Sequence, residues 1–66
     1  MDIQERVQLL KLDEVTALTN LSRSTIDRLE REGRFPRRRR ISQRAVRWLA
    51  FEVDAWVRRG GAAEAA

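Results

Sequence analysis

The sequence has 66 residues, with 14 basic and 10 acidic side chains, a net charge of +4, and neither cysteine nor histidine. A chain of this length forms one small domain with a thin core. Without Cys or His it has no disulfide, no zinc-finger ligands and no imidazole base, so we expect neither an enzyme nor a metal, cofactor or small-molecule site. No apolar run approaches the roughly 18 residues that span a bilayer, and the N-terminus carries charges where a secretion signal needs apolar residues, so we expect a cytoplasmic protein without membrane contact.

Positive charge is concentrated in one part of the chain. Residues 34–47 hold seven arginines and no acid, and the rest of the chain sums to −3. Thirteen of the fourteen basic side chains are arginine, which forms paired hydrogen bonds with phosphate or guanine. Such a block creates a local positive field that suits a directed contact with a polyanion. Nucleic acid is therefore the leading candidate partner.

The first predicted helix covers residues 13–19. It follows an apolar stretch with β-compatible ends at 7–12, after which the apolar side chains take up helical spacing. Asp13 and Glu14 lie in the first turn, where carboxylates favour the positive end of the helix dipole. Asn20 ends the helix, since Asn tolerates left-handed turn geometry.

The second predicted helix begins at Ser22 and is about ten residues long. The Ser22 hydroxyl is placed to accept the amide of Thr25, and Gly33 followed by Pro36 ends the helix. The helical wheel places an apolar stripe on the inward side, formed by Ile26 and Leu29. The outward side is polar and carries Ser24, Asp27, Arg28 and Arg31.

A small hairpin is predicted from Arg37 onward. Two short segments of period-two character flank a turn at 42–44, with Ile41, Val46 and Trp48 on the inner face.

The third predicted helix covers residues 51–59. Val53, Trp56 and Val57 recur in it at helical spacing, and residues 60–66 form a loose, flexible tail.

The large aromatic side chains have two interpretations. Phe35, Trp48 and Trp56 suit base stacking on single strands, but in so small a domain they are needed for packing. We assign them to the core.

Two short helices joined by a tight turn, the second of them polar and basic, form the geometry by which a helix enters the major groove. The hairpin that follows is placed to lie along the DNA backbone or to reach the adjacent minor groove. The predicted DNA contacts on the recognition helix are Arg23, Ser24, Thr25, Asp27, Arg28 and Arg31. Those on the hairpin are Arg37, Arg38, Arg39, Arg40, Arg44 and Arg47. The alternatives are an ordinary exposed helix face with i, i+4 ion pairs and a solvated basic run.

Over residues 9–57 the chain resembles the AlpA family of short phage and prophage regulators. The resemblance rests on the helix start LSRSTI, the stop GRFP, and the signatures RW and EVxxW. It implies a mainly α fold with a small β-hairpin, a winged helix-turn-helix of three short helices related to MerR-type and excisionase domains. The winged domain would cover 9–59, after an N-terminal extension at 1–8. The implied function is binding of double-stranded DNA in the transcription or excision of a mobile element, by a bacterial or phage-encoded, nucleoid-associated protein.

The chain departs from the AlpA pattern at three places. Asp27 stands where the family usually has Tyr, and an acid there either accepts a hydrogen bond from a cytosine amine or pairs internally with Arg23 or Arg31. Arg38 and Arg39 stand where the family tends to have Pro and Val, which raises the charge available for phosphate.

At the third place, Leu49, Ala50 and Phe51 replace a polar cap before the third helix. Leu49 and Phe51 are either the edge of the core or a surface for protein contact, with an integrase or with a second copy on DNA. The alternative function is a small protein-interaction module that binds an integrase or regulator through this helix, with only weak DNA contact.

Overall fold

The computed structural model describes residues 8–63 and contains three α-helices and a three-stranded sheet. In chain order the elements are β1 (Leu9–Leu10), α1 (Leu12–Thr19), α2 (Arg23–Arg31), β2 (Arg39–Arg40), β3 (Val46–Leu49), α3 (Ala50–Arg58) and a 3₁₀ turn (Gly61–Ala63). The predicted fold class is confirmed: the protein is mainly α with a small β-hairpin, arranged as a winged helix-turn-helix. None of the helices within the described range is long and apolar enough to cross a lipid bilayer.

The turn between α1 and α2 and the end of α2 follow from local residue chemistry. Asn20 adopts the left-handed conformation (φ 62°), and its amide donates to the carbonyl of Thr16 at 2.7 Å. Ser22 caps α2, with its hydroxyl accepting the Thr25 amide at 3.2 Å. At the other end Gly33 has φ +73°, a conformation that costs an L side chain energy, so glycine stops the helix there.

The sheet is antiparallel, with β3 between β1 and β2. Leu10 pairs with Trp48 across one edge, and Arg39 pairs with Arg47 across the other. The chain before β1 also caps α3, because the carbonyl of Gln8 accepts the Ala50 amide at 2.8 Å. The hairpin β2–β3, together with Arg37 and Arg38, which lead into it, is the wing of the fold.

The predicted inner face of the wing is wrong at one position. Ile41 was expected to share this face with Val46 and Trp48, but it is 52% exposed. Strand β2 ends at Arg40, and Ile41 begins the turn, with its amide donating to the Ala45 carbonyl at 2.8 Å. The position beside Trp48 is taken by Arg38.

The core is a single cluster of eight buried side chains drawn from every helix, from β1 and β3, and from the loop after α2: Leu10, Val15, Ile26, Leu29, Phe35, Trp48, Val53 and Trp56. The assignment of the three large aromatics to the core is therefore confirmed. Phe35 and Trp56 meet edge to face, with ring centroids 4.6 Å apart.

Not every apolar position of the helical patterns is buried. Val57 recurs at helical spacing with Val53 and Trp56, but it is exposed while those two are buried. Leu18 of α1 is exposed as well. Both side chains line a groove of 550 Å³ between α1, α2 and the end of α3.

The first part of the predicted tail lies against the domain. Ala62 packs on the core, and its carbonyl accepts a hydrogen bond from Arg34 Nη2 at 3.0 Å. Gly61 has φ +59°, and a Cβ there would lie 3.0 Å from the Trp56 ring, so glycine is required for this close approach. Residues 1–7 of the predicted extension and residues 64–66 of the predicted tail lie outside the described residues.

Candidate nucleic-acid interface

The outward face of α2 carries the residues predicted to read DNA. Because α2 packs through Ile26 and Leu29, the opposite side of the helix faces solvent. At 3.6 residues per turn, Ser24, Arg28 and Arg31 lie along the middle of that side. All three are exposed, and we call them the reading face.

The N-terminal turn of α2 is held by hydroxyl groups. Ser22 Oγ donates to Thr25 Oγ1 at 3.0 Å and lies 3.3 Å from Ser24 Oγ. Thr25 is half-buried and is thus part of the helix cap, whereas Arg23 next to it is exposed. This end of α2 also presents the positive pole of the helix dipole.

The arginines of residues 34–47 fall into two groups. Three of them pair with carboxylates: Arg34 with Glu32 at 3.3 Å, Arg39 with Glu52 at 2.8 Å, and Arg38 with both Glu30 and Asp27. The other four have no ion pair among residues 8–63: Arg37, Arg40, Arg44 and Arg47. In the described part of the chain, no carboxylate lies within ion-pair distance of these four.

Within that second group the side chains differ in how they are held. Arg47 Nη1 donates to the Val46 carbonyl at 2.8 Å, and Arg40 Nη1 reaches the Gln43 carbonyl at 3.5 Å. Arg37 and Arg44 have no hydrogen-bond partner in the described part of the chain. Arg37, Arg40 and Arg44 are all exposed, so the wing presents its unpaired charge to solvent.

Arg38 has a different environment, in a cluster that joins the wing to α2. Its Nε donates to both carboxylate oxygens of Glu30 at 3.1 Å, and its Nη2 donates to Asp27 Oδ1. The guanidinium lies over the Trp48 ring, 5.0 Å from the centroid, and Trp48 Nε1 donates to Glu30 Oε2 at 2.9 Å. Partial burial, the largest single influence, lowers the pKa of Arg38, but the hydrogen bonds and charges of Asp27 and Glu30 outweigh it and raise the pKa.

Asp27 is engaged internally. Besides the contact with Arg38, its Oδ2 lies 3.9 Å from Arg23 Nε. The structure shows Asp27 paired within the protein, with Arg38 and Arg23. Arg31 forms no ion pair within residues 8–63.

Comparison with known proteins agrees with the motifs in α2, the wing and α3. The family model described as prophage CP4-57 regulatory protein (AlpA) matches residues 8–60, a range that contains the sheet and all three α-helices. The chain belongs to the AlpA family. The family is one of prophage regulatory proteins, a class that implies DNA binding.

A relative of this AlpA-family chain is the protein ORF88 of Enterobacteria phage P4. The two are 46% identical over 54 residues, which is 82% of this chain and 59% of the phage protein. The chain therefore spans less than two thirds of the length of that relative. No solved structure matches the chain.

Glu30 is the functional-site residue that sequence reasoning missed. It follows buried Leu29 and stands one turn after Ile26, so it lies at the inward edge of α2 rather than on the reading face. Its side chain is only 13% exposed and accepts from two partners, Arg38 and Trp48. The sequence signal that could have found it is an acidic residue on the inward side of a predicted helix, which needs a cationic partner, with an arginine run following in the chain.

The predicted protein-contact residues have different environments in this AlpA-family fold. Leu49 is half-buried in β3, where it pairs with Leu9 of β1. Phe51 is 66% exposed and lines a groove of 530 Å³ between α3 and the loop after α2, together with Pro36 and Arg37. Only Phe51 of the two offers a large apolar surface.

Proposed function

We propose that this AlpA-family protein is a sequence-specific, double-stranded DNA-binding regulator of a phage or mobile element. It acts in transcription or as an excisionase-type architectural factor, with α2 in the major groove and the wing on the phosphate backbone. The observation that supports this most is the placement of unpaired arginines. The exposed Arg37, Arg40 and Arg44 lie on a wing that is joined directly to the edge of α2 through Arg38.

The reading face of α2 supplies the base contacts. Arg28 lies 3.4 Å from Glu32 in an exposed i, i+4 ion pair, which is worth only about 0.3–0.5 kcal/mol. Such a pair opens at little cost, so Arg28 is able to turn to the paired acceptors of a guanine. Ser24 and Arg31 are the neighbouring readers, and Arg23 and Thr25 at the helix start hold the backbone.

The wing supplies sequence-independent affinity. Arg37, Arg40 and Arg44 contact phosphates, with Arg47 and Arg39 at the root of the hairpin contributing positive charge. Binding to DNA places the protein with the nucleoid in the host cytoplasm.

The test is a fluorescence-anisotropy titration with duplexes from the genomic neighbourhood of the gene, against scrambled duplexes, at two salt concentrations. We expect one duplex to bind about a thousandfold more tightly than the scrambled ones, within the range of specific binders. Arg28→Ala should lose about 1–3 kcal/mol of discrimination at one base pair, because a bidentate contact is removed.

Arg58→Ala is the matched control for that titration. Arg58 pairs with Asp54 on α3 at 2.8 Å, so its loss changes the net charge equally without touching the reading face. Weak binding of the unaltered protein to all duplexes, erased by salt, would refute the proposed function. Equal loss on every duplex with Arg28→Ala would make Arg28 a backbone anchor.

A second candidate function is favoured by the exposure of Phe51. A protein-interaction module would bind an integrase, a regulator or a second copy through α3 at this side chain. We expect Phe51→Ser to abolish regulation of a reporter in cells while the purified protein still binds its duplex, because Phe51 lies on α3 and is not part of the reading face of α2. Val57→Ser, another exposed apolar change on α3, is the control. A Phe51→Ser variant with full cellular activity would remove this candidate.

A further inference from the structure

Arg38 lies in the middle of the arginine run, but its guanidinium is directed into the protein. Two of its edges donate to carboxylates of α2, and one face covers the Trp48 ring of β3. These partners belong to the recognition helix and to the wing, the two elements that must fit one duplex together. No other arginine of residues 34–47 has two carboxylate partners in the described structure.

We propose that Arg38 is a positioning residue, which fastens the wing to α2 and neutralises the Asp27 carboxylate beside the reading face, and that it does not contact phosphate. This assignment rests on the proposed DNA-binding function. It replaces the expectation that all four arginines of residues 37–40 act alike on the DNA backbone.

Neutralisation matters because Asp27 remains 37% exposed at its side chain, next to the surface that faces DNA. An unpaired carboxylate there would be close to phosphates of the same sign, and like charges placed together in an interface weaken binding. Arginine suits the role because its planar fork reaches two carboxylates at once while its flat face stacks on an indole, which a lysine ammonium does not do.

A double-mutant cycle tests the assignment, with the unaltered protein, Arg38→Met, Asp27→Asn and the double variant titrated against the preferred duplex at several salt concentrations. Methionine keeps an apolar stem over Trp48 and removes the charge. We expect Arg38→Met to weaken binding at least about tenfold and to flatten the salt slope, because the exposed Asp27 carboxylate repels phosphate and salt screens that repulsion. Asp27→Asn added to it should restore affinity to within about twofold of the unaltered protein, the usual error of additivity.

Two results of the cycle would overturn the proposal. A salt slope that stays about 0.9 lower in the double variant, where Asp27 carries no charge, would show that Arg38 contacts phosphate directly. Affinities that combine additively would show that Arg38 does not act through Asp27. If Arg38→Met no longer melts cooperatively, Arg38→Gln takes its place in the cycle, since it also removes the charge but keeps a hydrogen-bond donor for the carboxylates.

Hydrogen exchange without DNA separates this proposal from the proposed function. If Arg38 fastens the wing, Arg38→Met should speed exchange of the Ile41 amide, which donates to Ala45 in the wing turn, and leave the Ile26 amide of α2 unchanged. Unchanged exchange at both amides would overturn the fastening role. Failure of the unaltered protein to prefer any duplex would refute the DNA-binding proposal, and the exchange result would remain valid.

Discussion

Trp48→Ala is expected to leave most of the protein unfolded at room temperature. Trp48 is completely buried, and truncating a buried Trp costs about 3–5 kcal/mol. At about 0.05–0.15 kcal/mol per residue, a domain this small has a total stability of the same order. The substitution also removes the indole donor from Glu30, which leaves a largely buried carboxylate with one partner fewer. A urea titration followed by far-UV circular dichroism measures the loss.

Two further substitutions show which part of Trp48 matters. Trp48→Phe keeps an aromatic ring in the core but removes the hydrogen bond to Glu30, so we expect a smaller loss of about 1–3 kcal/mol. Phe51→Ala is the control, since Phe51 is mostly exposed and should change stability by no more than about 0.5 kcal/mol. A cooperative transition at the original midpoint in Trp48→Ala would show that Trp48 is not part of the core.

Features controlled by short-range chemistry were predictable from the sequence. Ser22, Asn20 and Gly33 mark helix ends through their own backbone conformations and hydrogen bonds, so the boundaries of α1 and α2 followed from a few neighbouring residues. The aromatic core was predictable for a different reason. A 66-residue chain has too few large apolar side chains to leave Trp48 and Trp56 on the surface.

Features that depend on pairing between distant elements were not predictable. Ile41 fits an alternating pattern, but the register of β2 against β3 ends the strand one residue earlier. The environment of Arg38 depends on Glu30 and Asp27, which stand eight and eleven positions away on another element. The sequence shows how many arginines the wing has, and only the folded chain shows which of them are already neutralised.

That distinction determines the salt dependence of DNA binding. Each phosphate neutralised by a cation adds about 0.9 to the slope of log affinity against log salt. Arg34, Arg38 and Arg39 are paired with carboxylates inside the protein and so release few counterions. The remaining arginines of the wing should account for most of the slope.

The triple variant Arg37→Ala, Arg40→Ala, Arg44→Ala should therefore lower the slope by about 2.7 and weaken binding to every duplex about a hundredfold or more near 0.1 M salt. Each single substitution should contribute about one third of the change. The preference between specific and scrambled duplexes should survive, because the reading face on α2 is untouched. Titration of both duplexes across a salt series measures the two effects separately.

The control for this series is Arg34→Ala combined with Arg58→Ala, which removes positive charge at two positions already paired with Glu32 and Asp54. If screening of net charge were the cause, the control would lower the slope in proportion to the charge removed. If the wing contacts phosphate, only the triple variant lowers the salt slope.

An unchanged slope in the triple variant would mean that the wing does not touch the DNA backbone, and affinity would then have to arise from α2 alone.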